Sequence, residues 1–300
     1  MRKPSIKEFC KMISAKLKLI AAMLIFGSIG IYVRNVNLSS GQIALARGII
    51  GSCFLLLAGR LMKQRLSREA IGRNIFLLIA SGAAIGFNWI LLFEAYKYTT
   101  IPKATLSYYF APVFVMFLSP FVLKERLTPK KIIGISAALL GMFLVTGIGG
   151  GSGKSDLLGI SYGLLAAVLY AFVIIMNKFL KGLSGLETTI IQISIASIVL
   201  LPYILLTEEL QYSSLDSTEW LLLLIIGIIN TGLAYLLYFT SMKDLSGQTI
   251  SVLSYIDPIF AIVLSAIFLG EGMSVKQIIG GVLILGGSLV SELKEEEKLP

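Results

Sequence analysis

The sequence predicts an all-α integral membrane protein: ten transmembrane helices arranged as two inverted-topology five-helix repeats. Three observations predict it. At 56% apolar and 14% charged residues, with a mean hydropathy of +0.86, the chain is too apolar for a soluble domain, which carries about 25% charged residues. The apolar residues fall into ten runs of membrane-spanning length. The second half of the chain repeats the first.

A helix needs about 20 mostly apolar residues to cross the hydrocarbon core. The runs that meet this are 17–35, 41–61, 74–97, 103–123, 130–148, 157–179, 187–206, 219–241, 248–269 and 275–292. Arg2, Lys3, Lys7, Lys11, Lys16 and Lys18 precede the first run. They would suit a signal peptide, but no small-x-small cleavage site follows, so the first run reads as a retained span. The connections are short, which makes consecutive helices antiparallel neighbours with no inserted domain. The expected division is a basic tail 1–16, a first repeat 17–148, a linker 149–156, a second repeat 157–292 and a C-terminal tail 293–300.

Orientation follows from Lys and Arg in the connections, which favour the cytoplasmic side. With the N-terminus inside, twenty basic residues fall on one side and five on the other: Arg34, Lys97, Lys103, Lys154 and Lys276. The 207–219 loop on the poor side holds only acids. Both termini are therefore expected in the cytoplasm, with the chain in the cell membrane.

Sliding the chain by 146 residues lays 104–145 over 250–291 with 13 identities in 42 positions. They include Tyr109 with Tyr255, Pro112 with Pro258, Glu125 with Glu271, and Gly134 and Gly141 with Gly280 and Gly287. Chance likeness of apolar helices does not place a Pro and a Glu at the same separation in both copies. Each copy has five spans, an odd number, so the second enters from the opposite side. Between the copies stands GIGGGSGKSD, Gly147 to Asp156. It resembles a phosphate-binding loop, but Ile148 replaces the required first glycine and an apolar helix precedes it instead of a strand. It reads as a flexible connector.

The net charge of +9 is scattered in short clusters between apolar runs, a topology signal and not a nucleic-acid footprint. Cys10 and Cys53 make no disulfide framework. The chain has no histidine, which removes the commonest metal ligand and general base. No cofactor, no metal and no enzymatic activity are expected.

A charge at the centre of a span costs about 2.5 to 3.5 kcal/mol even on the lenient insertion scale, so each such residue merits a functional reading. Asp257 lies near the middle of the ninth span, directly before Pro258, which removes a backbone hydrogen bond at that depth. An acid beside loosened backbone suits an amine ligand or a coupling proton; the structural alternative is a protonated acid or a pair with Arg47. Arg47 and Glu94 lie near the outer ends of the second and third spans. They read as an ion pair, as a carboxylate-binding arginine, or as an outer gate. Arg34 and Lys97 read as solvated ends. Asn230, Thr231, Tyr235 and Tyr238 on the eighth span, Asn88 and Trp89 on the third, Tyr108 and Tyr109 before Pro112, and Tyr255 before Pro258 read either as cavity lining or as interfacial anchors. Glu125 and Glu271 precede the N-caps Thr128 and Ser274 and read as structural. The glycines Gly134, Gly141, Gly280, Gly281, Gly286 and Gly287 form a close-packing seam, within the chain or across a homodimer.

Ten spans in two inverted halves, each with P-x-F, then L-x-E-x-[LM]-[TS], then a Gly-rich last span, resemble the EamA-type branch of the drug/metabolite transporter superfamily. The resemblance covers nearly the whole chain. It implies a central cavity between the halves, lined mainly by spans three, four, eight and nine with contributions from one and six. Pro112, Pro258, Glu125 and Glu271 match its motif positions. It implies an alternating-access secondary transporter for a small-molecule substrate, resident in the lipid bilayer. Export of an amino acid or amine, linked to the proton gradient, is the expected form. Uptake of a cationic or hydrophobic amine, and a sensor or packing protein without transport, are the alternatives.

Overall fold

The computed structural model describes residues 6–64, 66–124, 128–146, 153–245 and 247–292. Glu125, residues 149–152 of the expected linker and the 293–300 tail lie outside the described residues.

Ten membrane helices follow one another: α1 (Ile6–Gly27 and Ile29–Arg34), α2 (Ser40–Leu61), α3 (Ile75–Tyr98), α4 (Ile101–Tyr108 and Ala111–Val122), α5 (Pro129–Thr146), α6 (Lys154–Asn177), α7 (Gly185–Thr207), α8 (Ser217–Met242), α9 (Gly247–Ser254 and Ile256–Leu269) and α10 (Val275–Glu292). Among the described residues nine spans are long and apolar enough to cross a membrane, and Val275–Val290 is a shorter apolar helix. No strand occurs among the described residues. Helix begins at Ile6, inside the stretch expected as tail, and Lys154 to Asp156 at the end of the expected linker already belong to α6.

Local chemistry sets the helix ends. Ser39 caps α2 by accepting from Gln42 N–H at 3.0 Å. Ser184 with Glu187 and Asp216 with Glu219 form reciprocal capping boxes on α7 and α8, and Ser274 with Gln277 does the same for α10. Each cap stabilises its helix by about 1 kcal/mol. Gly270, at φ 65°, ends α9 in the left-handed conformation that glycine adopts without strain. Large apolar side chains face outward, with Phe76, Phe121 and Leu206 each at least 75% exposed. In a bilayer that surface meets lipid tails.

The repeats interlock, and helix packing follows their symmetry. α1 packs on α8 and α9, and the mates α6 and α3, α6 and α4 pack likewise; α2 meets α7, α4 meets α9, and α5 meets α10. With five crossings per repeat, the relating axis lies in the membrane plane. The α5–α10 contact is close along its length: a Cβ at Gly141 would stand 2.5 Å from Gly280 O, and one at Gly287 2.7 Å from Gly134 O. Of the expected glycine seam, Gly134, Gly141, Gly280 and Gly287 thus pack α5 on α10 within the chain, while a Cβ at Gly286 would meet nothing within 4 Å.

Three spans break at the same depth. Pro112 and Pro258, which cannot donate to the carbonyls four residues back, stand just after the breaks at Tyr109–Phe110 and Tyr255. The break in α1 needs no proline: Ser28 Oγ donates back to Ile25 O at 2.7 Å, and Asn230 Nδ2 reaches across from α8 to Ser28 Oγ at 2.9 Å. There α1 touches α9, since a Cβ on Gly27 would meet Asp257 O at 2.5 Å.

Candidate functional site

The breaks in α1, α4 and α9 border a cavity of about 340 Å³ between the repeats, at the lower end of the size range of small-molecule sites. Its walls are aromatic. Trp89, Tyr96, Tyr108 and Tyr109 enter from the first repeat, and Tyr170, Tyr235, Tyr238 and Tyr255 from the second. Two side chains that carry opposite charge when ionised, Arg47 and Asp257, also line it.

Asp257 sits in the first turn of the second half of α9, where the free N–H groups of a helix start favour a negative charge. Tyr109 Oη donates to its Oδ2 at 2.6 Å, a bond that crosses from one repeat to the other. Its Oδ1 has no hydrogen-bond partner among the described residues.

Arg47, 4% exposed, pairs with neither Glu94 nor Asp257, contrary to both pairings expected from sequence. Its guanidinium carbon stands 4.2 Å from the Trp89 ring centroid and 5.3 Å from that of Phe93, and its Nε donates to Thr231 Oγ1 at 3.1 Å. The π-helical stretch Ile225–Leu233 makes that contact possible: Thr231 Oγ1 donates five residues back to Ile226 O at 2.8 Å and turns its lone pair to Arg47. The Nη groups have no hydrogen-bond partner among the described residues.

Three of the expected residues lie elsewhere. Asn88 Nδ2 donates to Ala166 O at 2.6 Å and joins α3 to α6. Asn230 holds the break in α1. Glu94 accepts from Ser40 Oγ and stands 3.9 Å from Lys97 Nζ. Buried amides in a lipid-facing bundle find backbone carbonyls on neighbouring helices first.

The Lys/Arg-poor face above the cavity is tied together. Arg34 Nη1 pairs with Glu271 Oε1 at 2.9 Å, and Glu271, 10% exposed at its side chain, accepts the Ile101 N–H at 2.8 Å through Oε2. Arg34 also donates to Tyr96 O and Thr99 O, the free carbonyls at the end of α3. Arg34 is therefore exposed, as expected, but also clamped, and Glu271 joins α1, α4 and the α9–α10 turn. Lys97 does reach the surface, with Nζ donating to Leu38 O at 3.2 Å. Further ties are Lys103 and Thr99 to Asp156 and Ser39 to Glu208. At the opposite end, the cavity runs along Met23, Ile174, Tyr238 and Ile250 toward the Lys/Arg-rich face. There Ser67 N–H bonds Glu187, and Asn74 bonds Lys181, joining the α2–α3 and α6–α7 connections.

Sequence reasoning missed Tyr96, Tyr170, the break in α1 and the Arg34–Glu271 clamp. Ser28 followed by Gly30, with Gly27 before it, was the available signal for the break. Tyr170 has Leu24 as its repeat mate, so no pattern marked it.

The EamA-like transporter family matches residues 13–147 and 157–292. The chain is similar to the uncharacterized transporter YxxF of Bacillus subtilis (strain 168), at 32% identity over 95% of this chain and 91% of that one. It is also similar to the uncharacterized transporter YdfC of the same organism, at 31% identity over 84% and 82%. An uncharacterized transporter of Archaeoglobus fulgidus is 26% identical over 91% and 94%. A solved crystal structure superposes with a TM-score of 0.65 at 21% identity, covering 93% of this chain and 98% of its own, which shows the fold.

Proposed function

The chain belongs to the EamA-like transporter family, and from that premise we propose that it is an alternating-access secondary transporter that exports a small amino acid or amine across the cell membrane, driven by the proton gradient. The observation that carries the reading is Asp257: a carboxyl group on a broken helix, bonded across the repeats to Tyr109, with one oxygen free toward the cavity. A proton and an ammonium compete for such a group. Each can leave with the cavity open to one side and be replaced with it open to the other, which links the two fluxes.

The Arg34–Glu271 clamp supports a state closed on the Lys/Arg-poor face and open toward the Lys/Arg-rich one. With both termini cytoplasmic, as the basic residues favour, this is the inward-open state. Export then requires the repeats to rock about α1, α4 and α9, where the breaks already interrupt the helical ladder, and the clamp to release.

The test is counterflow in proteoliposomes with a panel of labelled amino acids and amines, with and without a pH gradient. Saturable flux of one class, accelerated when the pH is lower on the side that receives the substrate, is expected. Equal leak with purified protein and with empty liposomes for every compound would contradict it.

A further inference from the structure

We infer that the cavity takes a zwitterion that bridges the two repeats, its ammonium on Asp257 and its carboxylate on Arg47. The inference rests on the transporter reading and names its ligand class: a molecule with both charges, not a simple amine. Arg47 keeps its charge at all accessible pH, and a buried charge requires a counter-charge or full hydrogen bonding. It has neither. Its Nε is used by Thr231 and its face lies on Trp89, while neither Nη group has a hydrogen-bond partner among the described residues, and Arg47 lines the cavity. A guanidinium fixed on one side by an aromatic ring and by Nε, with its Nη donors open, is arranged for a carboxylate.

Asp257 supplies the complement. Its Oδ1 is likewise without a hydrogen-bond partner among the described residues, and it lines the same cavity. Between the two charges the wall is Tyr96, Tyr108 and Tyr235, apolar faces suited to a hydrocarbon or aromatic body. Neither partner alone satisfies the site: an amine leaves Arg47 unpaired, and a carboxylate leaves Asp257 unpaired.

The location of the charges adds a consequence. Arg47 is on α2 of the first repeat and Asp257 on α9 of the second. A ligand held by both is a strut between the halves, so its binding favours whichever arrangement brings them to its own charge separation. A singly charged analogue gives no such bias.

The test measures binding by Trp89 fluorescence in a Trp220→Phe variant, which leaves Trp89 as the one indole, and flux in parallel. Two sets of probes separate the charges by different lengths: phenylalanine with phenethylamine and 3-phenylpropionate, and 6-aminohexanoate with hexylamine and hexanoate. At least one zwitterion should bind about tenfold or more tighter than both of its singly charged analogues. Arg47→Gln should remove that preference while leaving amine binding, and Asp257→Asn should remove it while leaving acid binding. Arg47→Lys, which keeps the charge and a long side chain, serves where the glutamine variant does not fold, and should retain part of the preference. If neither zwitterion exceeds its analogues, or if the preference survives Arg47→Gln, the inference is overturned. Flux of amines alone would overturn the inference and keep the transporter. Selective zwitterion binding without any flux would keep the site and overturn the transporter.

Discussion

Tyr109 and Asp257 are joined by a 2.6 Å hydrogen bond between the two repeats, at the depth where α4 and α9 both break. The partners sit just before Pro112 and Pro258, the proline pair that the repeat aligns. The bond is an asymmetric use of a symmetric frame, because the repeat mate of Asp257 is Ala111.

Tyr109→Phe removes this bond and leaves Asp257 in place. A hydrogen bond to a charged group contributes about 1.5 to 3 kcal/mol, so half-saturation for the transported substrate should change by about tenfold or more with protein abundance unchanged. Concentration-dependent counterflow on the purified variant checks it.

The clamp predicts a gate. Glu271→Gln weakens the pair to Arg34 and the bond to Ile101 N–H, and should let the Lys/Arg-poor face open more often. A cysteine at Leu92, which lines the cavity, in a background free of Cys10 and Cys53, should react faster with a membrane-impermeant thiol reagent applied to that face. An unchanged rate would mean that the other ties, such as Lys103 to Asp156, hold the face alone.

Close packing of α5 on α10 predicts a sharp positional contrast. Gly141→Ala places a methyl group 2.5 Å from Gly280 O, whereas a Cβ at Gly286 meets nothing within 4 Å. Overpacking typically costs 1 to 3 kcal/mol, so Gly141→Ala should lower the thermal aggregation midpoint in detergent while Gly286→Ala leaves it within error. Monomer recovery after heating, read by size-exclusion chromatography, distinguishes them.

The charge bias predicts topology. Lys154→Cys should be labelled from outside intact cells and Lys178→Cys only after permeabilisation, both in the cysteine-free background. The reverse pattern would invert the assigned faces, and with them the direction of the open cavity.

Much of the fold was legible because the bilayer demands long apolar helices, and because Pro112, Pro258 and the glycine pairs recur at one spacing. The break in α1 was not, since it depends on Asn230 from a helix about 200 residues away. The site was half legible. Asp257 and the tyrosines stand out as a charge and aromatics within apolar runs, but their partners are set by rotation of each helix about its axis. Arg47 shows this: periodicity put it on the same side of the membrane as Glu94, while the π-helical stretch in α8 gave it Thr231 instead. No sequence spacing reveals a π-helix of nine residues, and without it the expected ion pair was the simpler solution.

The central claim is that a proton and the transported ammonium share Asp257. The most direct measurement is pH-gradient-driven accumulation of the best counterflow substrate in proteoliposomes, for the wild type and Asp257→Asn at matched protein content. Accumulation in the wild type and its loss in Asp257→Asn, with the variant still folded by size-exclusion chromatography, is the predicted result. Gradient-driven accumulation that persists in Asp257→Asn would contradict the account and leave the acid as a packing partner of Tyr109.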